Sequence, residues 1–329
     1  MLIMNVPRVS IGLPVWNGEK YLRLALDAVL KQDYSDFELI ISDNASTDAT
    51  ENICREYAAK DPRIRYYRNE KNIGATGNFN RVFELARGEY FKWISHDDQI
   101  ASAFLKRCVE TFQQAPADTV LVCSSSQLID GSGQVLVVLR RQMKSSPHPS
   151  CRLASIISSD HQDLPYPLWG LIRSESLRQT RLMGIVEADH VLLAELALLG
   201  NFVEIPEELQ MWRHHAENAL NLCRTSRQLL AWHDPSKAGN RIVLSRALAR
   251  DLEYFRLVRH VRLSAMEQIK CYCVLSWLLF PRFFRDVIQP LRGILALRTR
   301  LQKWFPKLVR QPSKWEDRRP RTKHDTIVS

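Results

Sequence analysis

Glycine and proline are scarce, 12 and 15 in 329 residues, which excludes collagen-like and loop-dominated chains. Long apolar runs are missing as well. The longest, Cys271 to Phe280, is ten residues broken only by Ser276 and stopped by Pro281, whereas crossing a bilayer takes about 20. A transmembrane helix is therefore not expected, while an interfacial one stays open. The seven cysteines (Cys54, Cys108, Cys123, Cys151, Cys223, Cys271, Cys273) contain no C-x-x-C pair and no His-paired zinc spacing, so reduced, mostly buried thiols in a cytoplasm are expected. Met1 to Val9 has neither a basic n-region nor a long apolar h-region, and no secretory signal is expected.

What is abundant is positive charge, and it is unevenly placed. The formal net charge is +10, from 46 Lys+Arg against 36 Asp+Glu. Residues 231–329 hold 21 of those cations and 8 of the acids, while residues 1–230 hold 25 and 28. A slightly acidic part is thus joined to a strongly basic one, and the two are expected to have different tasks. With 45% hydrophobic residues, the chain has ordinary globular composition and is long enough for one large domain with an appendage.

Strand and helix signals alternate through the first half. Arg8 to Val15, Phe37 to Ser42, Ile64 to Tyr67 and Tyr90 to Ser95 read as strands. Helices are predicted over Tyr21 to Gln32, from Thr47 or Asp48 to about Lys60, and over Thr76 to Ala86. This βαβαβαβ order predicts a mainly parallel three-layer sheet with ligands at the carboxyl ends of its strands. Further on, a helix is expected from Ser102 to about Ala115, a strand over Thr119 to Ser124 and a hairpin partner at Val135 to Leu139. Residues 142–167 read as a mobile loop, and helices are expected near Ser174 to Thr180 and over Asp189 to Leu199, with Gly200 as C-terminal cap. Beyond residue 230 the pattern is long Arg-rich helical stretches.

Four places carry candidate chemistry. Asp43, leaving the second strand, is placed to accept hydrogen bonds from a base or ribose, or else only to shape a turn with Asp48. His96-Asp97-Asp98 follows the fourth strand. Two adjacent carboxylates there call for a hard cation or for solvent, so either a metal site or a solvated acidic turn fits. Asp189 begins an apolar helix, where helix capping is an adequate alternative to a catalytic role. In Trp212-Arg213-His214-His215-Ala216-Glu217-Asn218 the basic groups suit phosphate or a metal, or simply face water.

The order of these motifs carries more than any one of them. Val9-Ser10-Ile11-Gly12-Leu13-Pro14-Val15-Trp16-Asn17-Gly18-Glu19-Lys20-Tyr21-Leu22, then Ser42-Asp43-Asn44-Ala45-Ser46-Thr47-Asp48, Asn69-Glu70-Lys71-Asn72-Ile73-Gly74 and His96-Asp97-Asp98, together resemble a family 2 glycosyltransferase with the GT-A fold. The likeness covers roughly residues 7 to 220. No G-x-G-x-x-G follows the first strand, which speaks against an ordinary dinucleotide-binding fold. The resemblance implies a three-layer α/β/α sandwich with a mainly parallel sheet and an inverting transfer from a nucleotide sugar, usually a UDP-sugar. It implies that Pro14, Val15, Asp43, Asp97 and Arg213 bind the donor, that Asp98 and His215 hold Mn²⁺ or Mg²⁺, and that Asp189 is the general base. His96 stands where many relatives carry an acid, so the strict D-x-D form is absent.

The expected organisation is a GT-A domain over 1–230, a basic helical extension over 231–310 and a disordered tail over 311–329. The acceptor implied is a glycan or lipid-linked hydroxyl. The extension fits an anionic membrane surface on the inner face of the cell membrane, or a helical appendage packed on the catalytic domain. A nucleic-acid binder using the basic tail is a rival, but it leaves the acidic motifs without a purpose, and no nucleic acid is expected. An inactive donor-binding or scaffold member of the family is the other alternative.

Overall fold

The computed structural model describes residues 6–140, 143, 145–158, 166–184, 187–218, 225–237 and 246–283. Four parallel strands open the fold: β1 (Val9–Val15), β2 (Phe37–Asp43), β3 (Ile64–Arg68) and β4 (Tyr90–Trp93). They alternate with helices α1 (Leu22–Leu30), α2 (Thr50–Lys60) and α3 (Gly74–Glu84). Strands β1 and β2 are buried at every position, as their continuous Val, Ile and Leu content demands of a sheet covered on both faces.

The strand order is β3-β2-β1-β4-β8-β6-β9-β5, with β7 paired to the side of β6. Here β5 is Gln99–Ile100, β6 Thr119–Ile129, β7 Val135–Leu139, β8 Leu171–Arg173 and β9 Asn201–Arg213. The first half of the sheet is parallel as expected, whereas the second is mixed. Strand β8 runs antiparallel to both β4 and β6, and β6 and β9 run parallel. Chain order reverses beside β1, whose neighbours are β2 and β4, and crevices open at such a switch point.

Helices α1, α2 and α4 (Phe104–Gln114) pack on one face through Leu22, Leu26, Ile53, Phe104 and Cys108. On the other face, α3, α6 (Ser174–Arg178) and α7 (Ala188–Leu199) pack through Val82, Phe83, Leu177, Leu192 and Leu196. The result is three layers. Residues Leu182 and Glu187, in the connection from α6 to α7, have positive φ. Asn80 of α3 braces this connection: its amide nitrogen donates to the Met183 carbonyl and its amide oxygen accepts from the Met183 N–H, each at 3.0 Å.

One expectation needs correction and two strands are added. Within 142–167, expected as a loop, lies helix α5 (Pro149–Ser158); Leu153 and Ile157 are its buried stripe, and Pro149 suits a first helical turn. Strands β8 and β9 have no counterpart in the sequence expectations. Gly200 is the C-terminal cap of α7, as expected, with extended backbone (φ −174°). Its missing side chain serves close approach, since a Cβ there would collide with the Asp118 carbonyl oxygen.

C-terminal to β9 lie α8 (Ser226–His233), α9 (Arg246–His260) and α10 (Ala265–Phe283). The boundary expected at residue 230 falls inside α8. One compact unit continues to Leu279, because Tyr254, Leu257 and Val258 of α9 and Cys271, Leu275 and Leu279 of α10 share a third apolar cluster with Leu153, Ile157 and Val191. The second unit begins at Phe280. Residues 284–310 of the expected extension and the whole tail expected disordered, 311–329, lie outside the described residues. Among the described residues six cysteines are free thiols, and burial pushes Cys54 and Cys108 up to about 12, which disfavours their reactive thiolates.

Candidate active site at the carboxyl ends of β1, β2 and β4

The turn after β1 is built against the turn after β2. Asn44 N–H donates to the Val15 carbonyl (2.8 Å), Asn17 N–H to Ser46 Oγ (2.9 Å) and Gly18 N–H to Thr50 Oγ1 (2.8 Å). Asp43 is fully buried; its carboxylate accepts from Ser46 N–H (2.9 Å) and the Tyr66 hydroxyl (2.9 Å). In this conformation it braces the turn, as the plainer of its two expected roles has it. Asp48 accepts from the Glu19 and Thr50 N–H groups and so satisfies the start of α2 without being its N-cap residue. Asn44, Asn69, Asn72 and Asn78 link side chain to side chain beside this turn, a network buried at Asn44, Asn69 and Asn78 and open to solvent at Asn72. Pro14 and Val15 end β1 beside it, both buried.

The turn after β4 touches the same place, since a Cβ on Gly18 would run into the His96 ring. Asp97, Asp98, Arg213 and His215 form one constellation here. Asp97 Oδ2 meets His215 Nε2 at 2.9 Å and accepts from Asn218 Nδ2 at 3.1 Å. Asp98 Oδ1 accepts from the Arg213 backbone N–H at 2.9 Å. Burial, and then the neighbouring Asp97 carboxylate, push the Asp98 carboxyl well above the usual carboxylate range. A carboxyl held this way favours any arrangement that brings positive charge close.

The Arg213 guanidinium does not reach outward. It is 5% exposed and donates to the carbonyls of Asp97 (3.0 Å), Asp130 (3.0 Å) and Gly131 (3.3 Å) while lying over the Tyr21 ring. It fastens the β4 turn to the β6–β7 hairpin. The His215 ring packs on the same tyrosine, centroid to centroid 4.7 Å.

Asp189 sits apart from that constellation, in the first turn of α7 with its side chain 38% exposed. Burial would raise its pKa, but hydrogen bonds from His190 and the charge of that ring outweigh this and hold it below the ordinary value. It is an ionised carboxylate with the His190 ring at 3.3 Å. Neighbours of the two are linked by an aromatic pair, to which the sequence reading gave no role. Trp169 and Trp212 meet edge to face at 5.6 Å, and Phe79 meets Trp169 at 5.8 Å. Leu168, next to Trp169, shares the α7 cluster with Ala188 and Leu192, and Trp212 directly precedes Arg213. Buried Lys92 holds this bridge from below, donating to the Trp169 carbonyl and to Gln210 Oε1; burial pushes its ammonium down to about 7. Asn218 was also missed as a contact, being 121 residues from its partner Asp97.

Among the described residues no three His, Cys, Asp or Glu side chains are disposed to hold a metal by themselves. The donor set nonetheless fits a Mg²⁺- or Mn²⁺-type ion that takes one or two protein carboxylates and completes its shell with substrate phosphate and water.

Comparison with known proteins adds likeness of sequence and of fold. A family profile described as glycosyl transferase family 2 matches residues 10–139. An uncharacterized glycosyltransferase of Rickettsia typhi is 33% identical over 140 residues, covering 43% of this chain and 43% of that protein. The putative colanic acid biosynthesis glycosyl transferase WcaA of Escherichia coli is 41% identical over 95 residues, covering 29% of this chain and 34% of that one. The matched segments thus span under half of these relatives. A solved structure of S. aureus TarS residues 1–349 in complex with UDP-GlcNAc superposes with a TM-score of 0.59 over 92% of this chain and 76% of that one, at 17% identity. That identity supports likeness of fold. Residues 10–139, from β1 to β7, thus match the profile of glycosyl transferase family 2, and the chain has a GT-A-like α/β fold.

Proposed function

We propose that the protein is a cytoplasmic inverting glycosyltransferase that moves a sugar from a nucleotide donor, most simply a UDP-sugar, to a hydroxyl of a glycan or lipid-linked acceptor in polysaccharide or glycolipid synthesis. The observation that carries this reading is the contrast between an ionised Asp189 and a crowded Asp97–Asp98 pair, joined by the Trp169–Trp212 bridge. Relatives named for polysaccharide synthesis and a fold neighbour named with UDP-GlcNAc support the choice of substrates.

In this reading the nucleoside rests against Pro14 and Val15. Asp43 meets the base as the turn it braces yields. Asp97 and Asp98 face the diphosphate, with Asp98 and His215 as ligands of Mn²⁺ or Mg²⁺. When bound, the cation supplies neutralisation of charge growing on the leaving phosphate. Arg213 is assigned to the donor side indirectly, by fixing the β4 turn. Asp189 takes the proton of the acceptor hydroxyl while its oxygen bonds to the anomeric carbon. The bond from that carbon to the diphosphate breaks, and the nucleoside diphosphate leaves. One displacement inverts the anomeric centre, and a positioned base contributes about 10²–10⁴ in rate.

A panel of nucleotide sugars with and without Mn²⁺, followed by thermal unfolding and by release of nucleoside diphosphate, tests the reading. A cognate donor raises Tm by mass action and is slowly hydrolysed. If no nucleotide sugar is bound, hydrolysed or transferred under any of these conditions, the proposal fails.

A further inference from the structure

Helix α10 has two apolar faces, and only one of them is covered. At about 100° per residue, Cys271, Leu275 and Leu279 fall within one arc of about 80°, and these are the residues packed against α9, α5 and α7. Met266, Ile269, Cys273 and Trp277 fall in a second arc of similar width, centred about 160° from the first. All four are exposed, Met266 at 61%, Ile269 at 57% and Trp277 at 81%. A tryptophan that open, in line with two large aliphatic side chains, is not explained by packing among the described residues.

No acid lies within the stripe. Lys270 borders it, exposed and paired with Glu267 at 2.8 Å, and the other carboxylate oxygen of Glu267 accepts from Ser150 N–H (3.4 Å) and Oγ (3.2 Å) on α5. The sequence that follows, residues 281–310, carries eight Lys and Arg against a single acid, Asp286. Among the described residues no helix is long and apolar enough to cross a bilayer. An apolar stripe with an aromatic residue, flanked by cations and too short to span, matches a helix lying in the headgroup region.

We propose that the outward stripe of α10, Met266-Ile269-Cys273-Trp277, is a docking surface for an anionic lipid membrane. This deepens the lipid-linked reading of the acceptor and states which face meets the lipid. The charge that follows along the chain and the apolar stripe then act together: the cations supply attraction to acidic headgroups, and the stripe supplies burial at the acyl boundary.

The full chain, purified without detergent, is sedimented with vesicles of phosphatidylcholine alone and of phosphatidylcholine with about one third phosphatidylglycerol, at low and high salt. Wild type is compared with the triple variant Met266→Ser, Ile269→Ser, Trp277→Ser. The expected result is partition to the acidic vesicles, weakened by salt and reduced about tenfold or more in the variant, with unchanged thermal unfolding and unchanged donor hydrolysis in free solution. Three results overturn the proposal: wild type that ignores acidic vesicles, a variant that partitions as well as wild type, or a vesicle-free dimer that the variant turns to monomer, which would make a second copy the occupant. Donor hydrolysis is read separately. A protein that docks but never hydrolyses a nucleotide sugar removes the proposed function and leaves the docking surface standing.

Discussion

Asp98 and Asp189 are the same side chain in two environments that push it opposite ways. Asp98 follows a buried strand, has another carboxylate as its sequence neighbour and accepts one backbone N–H; burial and like charge raise its pKa. Asp189 opens a helix, where unpaired N–H groups favour negative charge, and it has a histidine for a neighbour; its pKa is lowered. Pairs of acids driven apart in this way mark a division of labour. In the proposed function the first is assigned to a cation and the second to the base.

The comparison breaks most visibly at the base. Asp189→Asn is expected to cost about 10²–10⁴ in transfer rate while leaving the donor-induced rise in Tm intact; transfer at the wild-type rate removes the assignment. Asp98→Asn comes next, with a loss of about 10²–10³ in kcat/KM and a donor affinity that no longer responds to Mn²⁺, measured by titrating donor with and without the ion. An unchanged response to Mn²⁺ would place the ion elsewhere.

Arg213→Leu tests the frame in which Asp98 is held. It strips three backbone carbonyls of their buried partner, so a loss of about 2–4 kcal/mol in unfolding free energy is expected, read by denaturant titration; a stability within error of wild type would mean the guanidinium is dispensable there. The smallest effect is expected from His190→Ala. His190 holds Asp189 down, so a base that must be ionised works to lower pH with the histidine than without it. The acid limb of the pH–rate profile should therefore move to higher pH in the variant, with little change near neutrality, and no movement would show that the pair is not coupled.

Legibility from sequence followed the range of the interactions. Strands β1, β2 and β4 and their helices declare themselves because each buries a local apolar pattern, and Asp43, Asp97 and Asp98 are visible because they sit where those patterns stop. Strand β9 hid because Glu204, Pro206, Glu207 and Glu208 interrupt its pattern; its pairing with β6, some 80 residues earlier, is what makes it a strand. Helix α5 hid among serines and prolines for a related reason, since its apolar stripe is short and gains its meaning from α7 and α9. At the site, Arg213 and His215 were picked out by residue type, but their partners were not. A guanidinium whose targets are backbone carbonyls leaves no complementary residue in the sequence to find.

The amide of Asn80 has a consequence for α7. By giving one donor and one acceptor to the same residue, Met183, it imitates a single rung of an antiparallel ladder, made by a side chain. The connection leading into α7 is thereby fastened to α3, which packs on the parallel half of the sheet. The helix that begins with Asp189 in its first turn is thus splinted by a neutral side chain more than a hundred positions earlier.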